Sequence, residues 1–357
     1  MKKNNIIRTG LHLLFAKATR GRFPFQVHIR VIEQCNQECT YCAGDYQRKG
    51  IAPPSAEKLL RLIDDLGRLG TKRITLFGGE PLLRDDIHEL ILRAKRYNMD
   101  CSLTTNGRLI DRHKKILKDL DSLSISLDGD EKSHDAYRGG GSWDAALHAV
   151  ELARSSGAPV KLMCTVTRLT DPKLYDLRIL AERYKCTIDF ELLNPVFRED
   201  GTVTLRPEDA GEAAVKEFLN YQKSVFSPRF VHSPHVLQYI YKWPAEYKTF
   251  RIFRDQIKDK PKLISCNAGR FFAFIESNGD LFPCCLKRTD YHPINVFEHG
   301  FEEAWKIMPI NDCVACRCVG YNMLNDILNL QPQSVLYFIR SQLNNRFKTD
   351  INLRIKP

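Results

Sequence analysis

The chain has 357 residues, and 43% of them are hydrophobic, which suits one large domain with an appendage or two domains and excludes a globally disordered protein. Lysine and arginine outnumber aspartate and glutamate by 54 to 43, and the net charge of +11 favours anionic partners without requiring them. No apolar run is long enough to span a membrane, and twelve closely spaced cysteines in a chain of this length do not make a small secreted disulfide framework. We therefore expect a cytoplasmic protein that binds a metal or a cluster.

Residues 1–24 form a basic segment without acidic residues. Its apolar residues Ile7, Leu11, Leu14 and Ala18 recur at helical spacing. This pattern is typical of a helix on an anionic membrane surface, and also of a helix packed against the bottom of a domain, which we favour. The apolar stretch is too short and too polar to be a signal peptide.

Strand and helix patterns alternate over residues 25–193. The pattern predicts strands at 25–32, 73–79, 101–107, 122–129, 160–167 and 187–193, and helices at 55–70, 85–98, 108–120, 142–157 and 171–185. Ser55 and Ser142 are the expected N-caps of two of these helices. Regular alternation indicates a parallel sheet covered by helices, either an open doubly wound sheet or an incomplete barrel. In both, the chemistry lies beyond the carboxyl ends of the strands.

The remaining chain divides by composition into three parts. Residues 194–262 are rich in aromatic and basic residues and predict linker helices. Residues 263–322 hold half of the cysteines and predict a small separate module, and residues 323–357 predict a helical tail.

The first cysteine group, Cys35, Cys39 and Cys42, has the spacing C-x3-C-x2-C and follows the first strand. Thiolates are the natural ligands of iron–sulfur clusters, which normally take four of them. Three thiolates on a short loop would leave one coordination position open, as catalytic metal sites do. Zinc is the competing metal, but its sites more often use paired CxxC knuckles, so this spacing favours a cluster.

Four segments together resemble the radical S-adenosylmethionine (radical SAM) family: "CNQECTYC" (35–42), "FGGEPLLR" (77–84), "TTNG" (104–107) and "SISLDGDEKSHDAYRG" (124–139). The resemblance covers residues 26–193 and implies a partial (β/α)6 TIM-like barrel. It implies that Cys35, Cys39 and Cys42 bind a [4Fe–4S] cluster whose unique iron is chelated by SAM. An external flavodoxin or ferredoxin would supply the electron that splits SAM into methionine and a 5′-deoxyadenosyl radical, which abstracts hydrogen from a substrate.

The same resemblance assigns further residues to SAM. They are Tyr41 and Val166 near the adenine, Gly78, Gly79 and Glu80 along the methionine amino group, Asn106 and Ser126 near the ribose, and Arg138 at the methionine carboxylate. Asp128 and Glu191, at the ends of the fourth and sixth strands, are candidates for removing a substrate proton, although a turn residue and a solvated strand position are the alternatives.

The second cysteine group begins with C-x12-G-x4-C, from Cys266 to Cys284, and ends in "CVACRC" (313–318). It resembles the twitch type, a shortened SPASM module with one auxiliary [4Fe–4S] cluster. The resemblance implies the ligands Cys266, Cys284, Cys313 and Cys316. Cys285 and Cys318 are surplus, and either is able to replace a neighbour. A structural four-cysteine zinc site is the alternative.

The sequence does not identify the substrate. Auxiliary clusters in the family accompany oxidation, epimerisation or crosslinking, which suits a small metabolite or a peptide, although the short N-terminus leaves no room for a separate leader-peptide-binding domain. A lipid-linked or glycolipid substrate would suit the basic N-terminal segment. In a different class, a zinc- or cluster-bearing nucleic-acid-binding module would use the positive charge. We do not expect nucleic acid, because such a module has no need of "GGEP" at a strand end.

Overall fold

The computed structural model describes residues 21–42, 52–170, 174–193, 196–197, 203–204, 212–224, 229–246, 249–253, 263–287, 292–309 and 313–346. The helix predicted within residues 1–20 lies outside these ranges.

Six strands pair in parallel and in chain order. They are β1 (Gln26–Ile32), β2 (Arg73–Gly78), β3 (Asp100–Thr105), β4 (Ser122–Ser126), β5 (Val160–Val166) and β6 (Thr187–Leu192). The α-helices between them are α1 (Ala56–Arg68), α2 (Ile87–Arg96), α3 (Glu131–Arg138), α4 (Ser142–Ser155) and α5 (Leu174–Arg183). This arrangement confirms the predicted α/β fold.

Alternation along the strands separates two faces of the sheet. On β2, Ile74 and Leu76 are fully buried and belong to one hydrophobic core together with Leu62 and Leu66 of α1. Successive side chains of a strand point to opposite faces, so Thr75 lies on the other, inner face of the sheet. The inner face and the carboxyl strand ends are therefore left for the site.

The C-terminal part adds β7 (Val196–Phe197), β8 (Val203–Thr204), α6 (Glu212–Ser224), α7 (Pro234–Tyr241), β9 (Arg251–Phe253), β10 (Phe272–Ile275), β11 (Asp280–Phe282), β12 (Ile294–Asn295), α8 (Val296–His299), α9 (Phe301–Ile307), β13 (Cys313–Cys316), α10 (Val319–Leu328) and α11 (Pro332–Arg346). β10 pairs with β1 in parallel, and β11 and β12 follow it antiparallel, so one nine-stranded sheet runs β12-β11-β10-β1-β2-β3-β4-β5-β6. The cysteine-rich module is thus not separate from the barrel, since its hairpin extends the barrel sheet.

An ion-pair network joins β1 to this hairpin. The Arg30 guanidinium lies 3.3 Å from Glu33 and 3.1 Å from Glu276, and Ser277 donates to Glu33 at 2.7 Å. Glu33 opens the loop that carries the first cysteine group, so this loop is tied to the hairpin of the second.

Two local predictions differ from the structure. Residues 110–118 form a 3₁₀ helix with a kink at His113, whose imidazole lies 2.9 Å from the carbonyl oxygen of Leu82. Ser142 is not the N-cap of α4, because Gly141 holds that position with a φ of +71°, and the hydroxyl of Ser142 donates to Asp135 at 2.9 Å. None of the helices within the described ranges combines the length and the apolarity needed to cross a membrane.

Candidate active site

The first cysteine group lies on the loop after β1. Cys35, Cys39 and Cys42 are free, partly exposed thiols, and the loop is held by backbone hydrogen bonds of 3.0 Å from Cys42 to Cys39 and from Thr40 to Tyr137. The structure thus brings the three thiols together at the carboxyl end of the sheet.

The electrostatics of these thiols suit metal binding. Burial raises the pKa of Cys35 to about 11, and the neighbouring Glu80, Cys39 and Cys42 add to the rise. Burial also raises the pKa of Cys39, although the Arg138 guanidinium opposes it. Without a cation the thiols of Cys35 and Cys39 stay protonated, and bound iron would supply the positive charge that thiolates need. The group therefore fits a cluster on chemical grounds.

The glycines of "GGEP" allow two backbone segments to approach. A Cβ at Gly78 would lie under 3.0 Å from the carbonyl oxygen of Ile32, and a Cβ at Gly79 equally close to that of Gln34. The backbone N–H of Gly79 donates to Ile32 at 2.9 Å, and that of Glu80 donates to Gln34 at 2.9 Å. Close approach explains both glycines, but Gly78 approaches the end of β1 and Gly79 the start of the cysteine loop, so contact with the methionine amino group stays a prediction.

The Glu80 side chain is buried and bonds to the end of β3, and its position along the methionine amino group of SAM stays a prediction. Its buried carboxylate accepts hydrogen bonds from Leu82 N at 3.0 Å, Thr105 Oγ1 at 2.7 Å and Asn106 N at 2.8 Å. Burial raises the pKa of Glu80 to about 7, although these donors oppose the rise. The role that the structure gives Glu80 is to tie the end of β2 to the end of β3.

The residues predicted to contact the ribose and the adenine of SAM differ in burial and in hydrogen-bond partners. Asn106 donates to Asn36 of the cysteine loop at 2.7 Å, and Ser126 lies half-buried at the end of β4. Val166 is 1% exposed and belongs to the hydrophobic core on the outer face of the sheet, which does not suit its predicted contact with adenine. Thr165, beside it, lies on the inner face.

Asp128 does not present a free carboxylate to a cavity, as a general base would require. It is 0% exposed, and it accepts from Arg138 Nε at 2.6 Å, Thr165 N at 2.8 Å and the Tyr41 hydroxyl. Burial alone would raise the pKa of Asp128, but the Arg138 guanidinium outweighs it and lowers the pKa. Such a carboxylate stays ionised and engaged, so the structure argues against Asp128 as the group that removes a substrate proton.

Glu191, at the end of β6, joins the barrel to the cysteine module. Its carboxylate accepts from the backbone N–H groups of Val319, at 2.9 Å, and Gly320, so it caps α10, and the Cys318 thiol lies 3.5 Å away. Burial and the nearby Asp189 raise the pKa of Glu191 to about 7. His232 and the backbone N–H groups of Val319 and Gly320 lower it, but by less. A pKa near neutrality is what a general base needs.

The second cysteine group also comes together. Cys266, Cys284, Cys313 and Cys316 lie close enough for their charges to couple, and burial, reinforced by the other thiols, raises the pKa of Cys284 and Cys316 well above the usual value. β13, which carries Cys313 and Cys316, pairs antiparallel with β9. A bound cation would stabilise the thiolates of Cys284 and Cys316, which burial among apolar side chains and the neighbouring thiols otherwise disfavour.

The two surplus thiols lie near the predicted ligands, Cys285 beside Cys284 and Cys318 near Cys316. Cys318 lies against Glu191, and the hydroxyl of Tyr321 donates to Cys285 at 3.6 Å. Within the described residues, no set of three His, Cys, Asp or Glu side chains is arranged to hold a single metal ion.

Sequence reasoning missed Tyr321 and His134. Tyr321 stacks on Phe272 with ring centroids 5.0 Å apart, and its ring edge meets His28 at 5.9 Å, so it covers the inner face where β10 meets β1. His134 accepts from the backbone N–H of Asp128 at 3.0 Å. The one sequence signal for either residue was that Tyr321 follows "CVACRC" closely, which places it near the second cysteine group.

Comparison with known proteins finds family matches to two parts of the chain. The radical SAM superfamily model matches residues 29–178, and the SPASM iron–sulfur cluster-binding domain model matches residues 266–322. The probable GTP 3′,8-cyclase of Pyrococcus abyssi is 33% identical over 52% of this chain and 65% of its own length, so the chain spans slightly less than two thirds of that relative. The AdoMet-dependent heme synthase of Nitratidesulfovibrio vulgaris is 27% identical over 85% of this chain and 89% of its own length.

Solved structures agree on the fold. Streptococcus suis SuiB bound to its precursor peptide SuiA superimposes with a TM-score of 0.64 at 17% identity, over 85% of this chain and 69% of SuiB. SAM and [4Fe–4S] clusters, one of them auxiliary, are the cofactors that the two family matches imply, and both thiol groups fit them. The chain therefore contains a radical SAM domain in residues 29–178, followed by a SPASM-type iron–sulfur module in residues 266–322.

Proposed function

We propose that this protein is a cytoplasmic enzyme that reductively cleaves SAM and abstracts hydrogen from a small metabolite or a peptide, which it oxidises, epimerises or crosslinks. The observation that carries the proposal is the grouping of three partly exposed thiols on a loop that packs on the "GGEP" turn. When bound, the clusters supply electron transfer, to SAM at the first site and to or from the substrate side at the second.

The chain's own residues would hold and shield these groups. Cys35, Cys39 and Cys42 leave one ligand position of a cubane cluster for SAM, and Arg138 offers a guanidinium to its carboxylate. Glu191 is our candidate for accepting a substrate proton, since it stands between barrel and module and, unlike Asp128, it is only partly buried and its described contacts are backbone donors and a thiol in place of an arginine.

The substrate class rests on analogy. SuiB is known in complex with a precursor peptide, which supports a peptide substrate for this chain. The two curated relatives are named for a nucleotide cyclase and a heme synthase, which support a small metabolite instead. An external reductant of the flavodoxin or ferredoxin type completes the proposal.

The test is SAM cleavage by the anaerobically reconstituted full chain with dithionite, followed as 5′-deoxyadenosine by mass spectrometry. Replacing Cys35, Cys39 and Cys42 together by alanine should abolish the product. Replacing Cys313 and Cys316 should leave some uncoupled cleavage but no product from the substrate. A wild-type chain that binds zinc and nucleic acid but never cleaves SAM would favour the nucleic-acid-binding alternative.

One observation favours a lipid-linked substrate as a second candidate. α11 buries Tyr337, whose hydroxyl donates to Phe230, while Leu336, Phe338 and Ile339 are 55%, 36% and 48% exposed. Arg340 on the same helix is exposed as well, so the exposed face combines apolar side chains with a cationic one. Such a face suits an anionic lipid surface.

Co-sedimentation with phosphatidylcholine vesicles, with and without phosphatidylserine, tests this second candidate. Leu336→Asp should reduce binding to the anionic vesicles. Ile179→Asp is the matched control, because Ile179 is 49% exposed on α5. Equal binding by both variants, or self-association of the wild type in place of vesicle binding, would refute the lipid contact.

A further inference from the structure

Asp128, Tyr41 and Arg138 form a connected group beside the cysteine loop. Tyr41 lies between Cys39 and Cys42 in the sequence, and its hydroxyl donates to Oδ2 of Asp128. Arg138 ends α3 and donates to the same oxygen through Nε at 2.6 Å. One fully buried carboxylate thus holds both a loop residue and a helix residue.

Asp128 itself is held from two further directions. Its Oδ1 accepts from the backbone N–H of Thr165 on β5 at 2.8 Å, and its own backbone N–H donates to His134 Nδ1 at 3.0 Å. The carboxylate therefore cannot rotate without breaking bonds to two elements of the barrel. Two of the three groups that hold the carboxylate, Arg138 and Thr165 N, therefore belong to the barrel and one, Tyr41, belongs to the cysteine loop.

Only one of the three guanidinium nitrogens of Arg138, Nε, binds Asp128. Nε is bound to Asp128, and the guanidinium carbon lies 5.4 Å from the centroid of the Tyr41 ring. Among the residues that the structure describes, its two terminal nitrogens have no hydrogen-bond partner. The planar fork of an arginine that is fixed through Nε is oriented to bind a carboxylate through these nitrogens.

We propose that Asp128 is a positioning residue that fixes Arg138 through Nε and Tyr41 through its hydroxyl, so that the terminal nitrogens of Arg138 remain available beside Cys39 for the carboxylate of SAM. This inference rests on the proposed function, because it takes SAM as the ligand. It differs from the expectation drawn from the sequence, in which Asp128 exchanged a proton with the substrate. Outer partners that orient a ligand-binding group typically change affinity by about 10- to 100-fold when removed.

The experiment uses the reconstituted full chain and measures iron per chain, the Kd of SAM by equilibrium dialysis, and the EPR spectrum of the reduced first cluster with and without SAM. Asp128→Asn should raise the Kd of SAM about 10- to 100-fold and weaken the spectral change on adding SAM. Arg138→Lys keeps the charge but loses Nε and should raise the Kd similarly. Tyr41→Phe keeps the ring but loses the hydroxyl, so we expect a smaller rise, with lower iron content.

Asp135→Asn is the matched control. Asp135 also lies on α3 and accepts from Gly141 N, Ser142 Oγ and Trp143 N at 2.8–2.9 Å, away from the cysteine loop. It should lower stability without changing the Kd of SAM. If Asp128→Asn does not fold, Arg138→Lys and Tyr41→Phe carry the test.

The inference is overturned if these variants bind SAM with the wild-type Kd and spectrum, or if Asp135→Asn loses SAM binding to the same extent. A wild-type chain that takes up iron but binds no SAM would refute the proposed function instead. The two failures are therefore distinguishable.

Discussion

Replacing Gly320 by alanine tests how the end of β6 holds the cysteine module. Helix propensity alone predicts that alanine within α10 stabilises the chain by about 1 kcal/mol. The structure predicts the opposite, because a Cβ at Gly320 would lie under 3.0 Å from Oε1 of Glu191, the atom that accepts the Gly320 N–H. Moving this carboxylate also weakens its 2.9 Å hydrogen bond from Val319 N.

The opposing contributions give the net effect. Inserting a methyl group into a packed contact costs about 1–3 kcal/mol. Losing a helix cap costs about 1 kcal/mol. When the gain in helix propensity is subtracted from these two costs, the free energy of unfolding of Gly320→Ala should be lower than that of the wild type by about 1–3 kcal/mol.

Urea unfolding of the anaerobic full chain, followed by circular dichroism, measures this change. Gly140→Ala is the control, because nothing lies within 4 Å of a Cβ built at Gly140. In a Glu191→Ala background the obstruction is gone, and Gly320→Ala should become neutral or stabilising. A Gly320→Ala variant that is more stable than the wild type with Glu191 intact would refute the reasoning.

Three further predictions follow from the site. Gly79→Ala should lower the iron bound per chain by about half, because its Cβ would meet the Gln34 carbonyl oxygen under 3.0 Å and displace the loop that would hold one of the two proposed clusters; unchanged iron would contradict this. Glu80 has a pKa of about 7 against an ordinary 4.5, so the folded chain holds an extra proton between these values and stability falls as pH rises through them. In urea titrations the slope of Glu80→Gln against pH should be smaller than that of the wild type by at most about 1.4 kcal/mol per pH unit, with the part due to Glu191 remaining. Cys318→Ala should leave iron in the second group nearly unchanged, whereas Cys316→Ala should remove most of it, as iron analysis of each variant will show.

Local sequence was sufficient to predict the barrel. Each of the six parallel strands lies within a predicted segment or overlaps it closely, because alternating apolar residues and glycine stops are local signals. The three cysteines and "GGEP" fall at strand ends for the same reason. The family match over residues 29–178 confirms the resemblance on which the site residues were assigned.

Long-range pairing was not predictable in this way. The pairing of Gln26 on β1 with Phe272 on β10 joins residues far apart in the sequence, and no local pattern encodes it. Side-chain partners could not be predicted for a related reason. The sequence places Asp128 at a strand end but does not show that Arg138 will neutralise its charge. Glu80 likewise looked available until its donors from β3 were known.

The parallel pairing of β10 with β1 has a consequence for fragments of this protein. A fragment ending near residue 193 would retain the first cysteine group but would expose the whole hydrogen-bonding edge of β1. An uncovered strand edge recruits other strands, so such a fragment should aggregate unless another segment covers it. It would also lose Glu276 and Ser277, which brace Arg30 and Glu33 at the entrance to the cysteine loop. The barrel is therefore completed by residues that come almost 250 positions after its first strand.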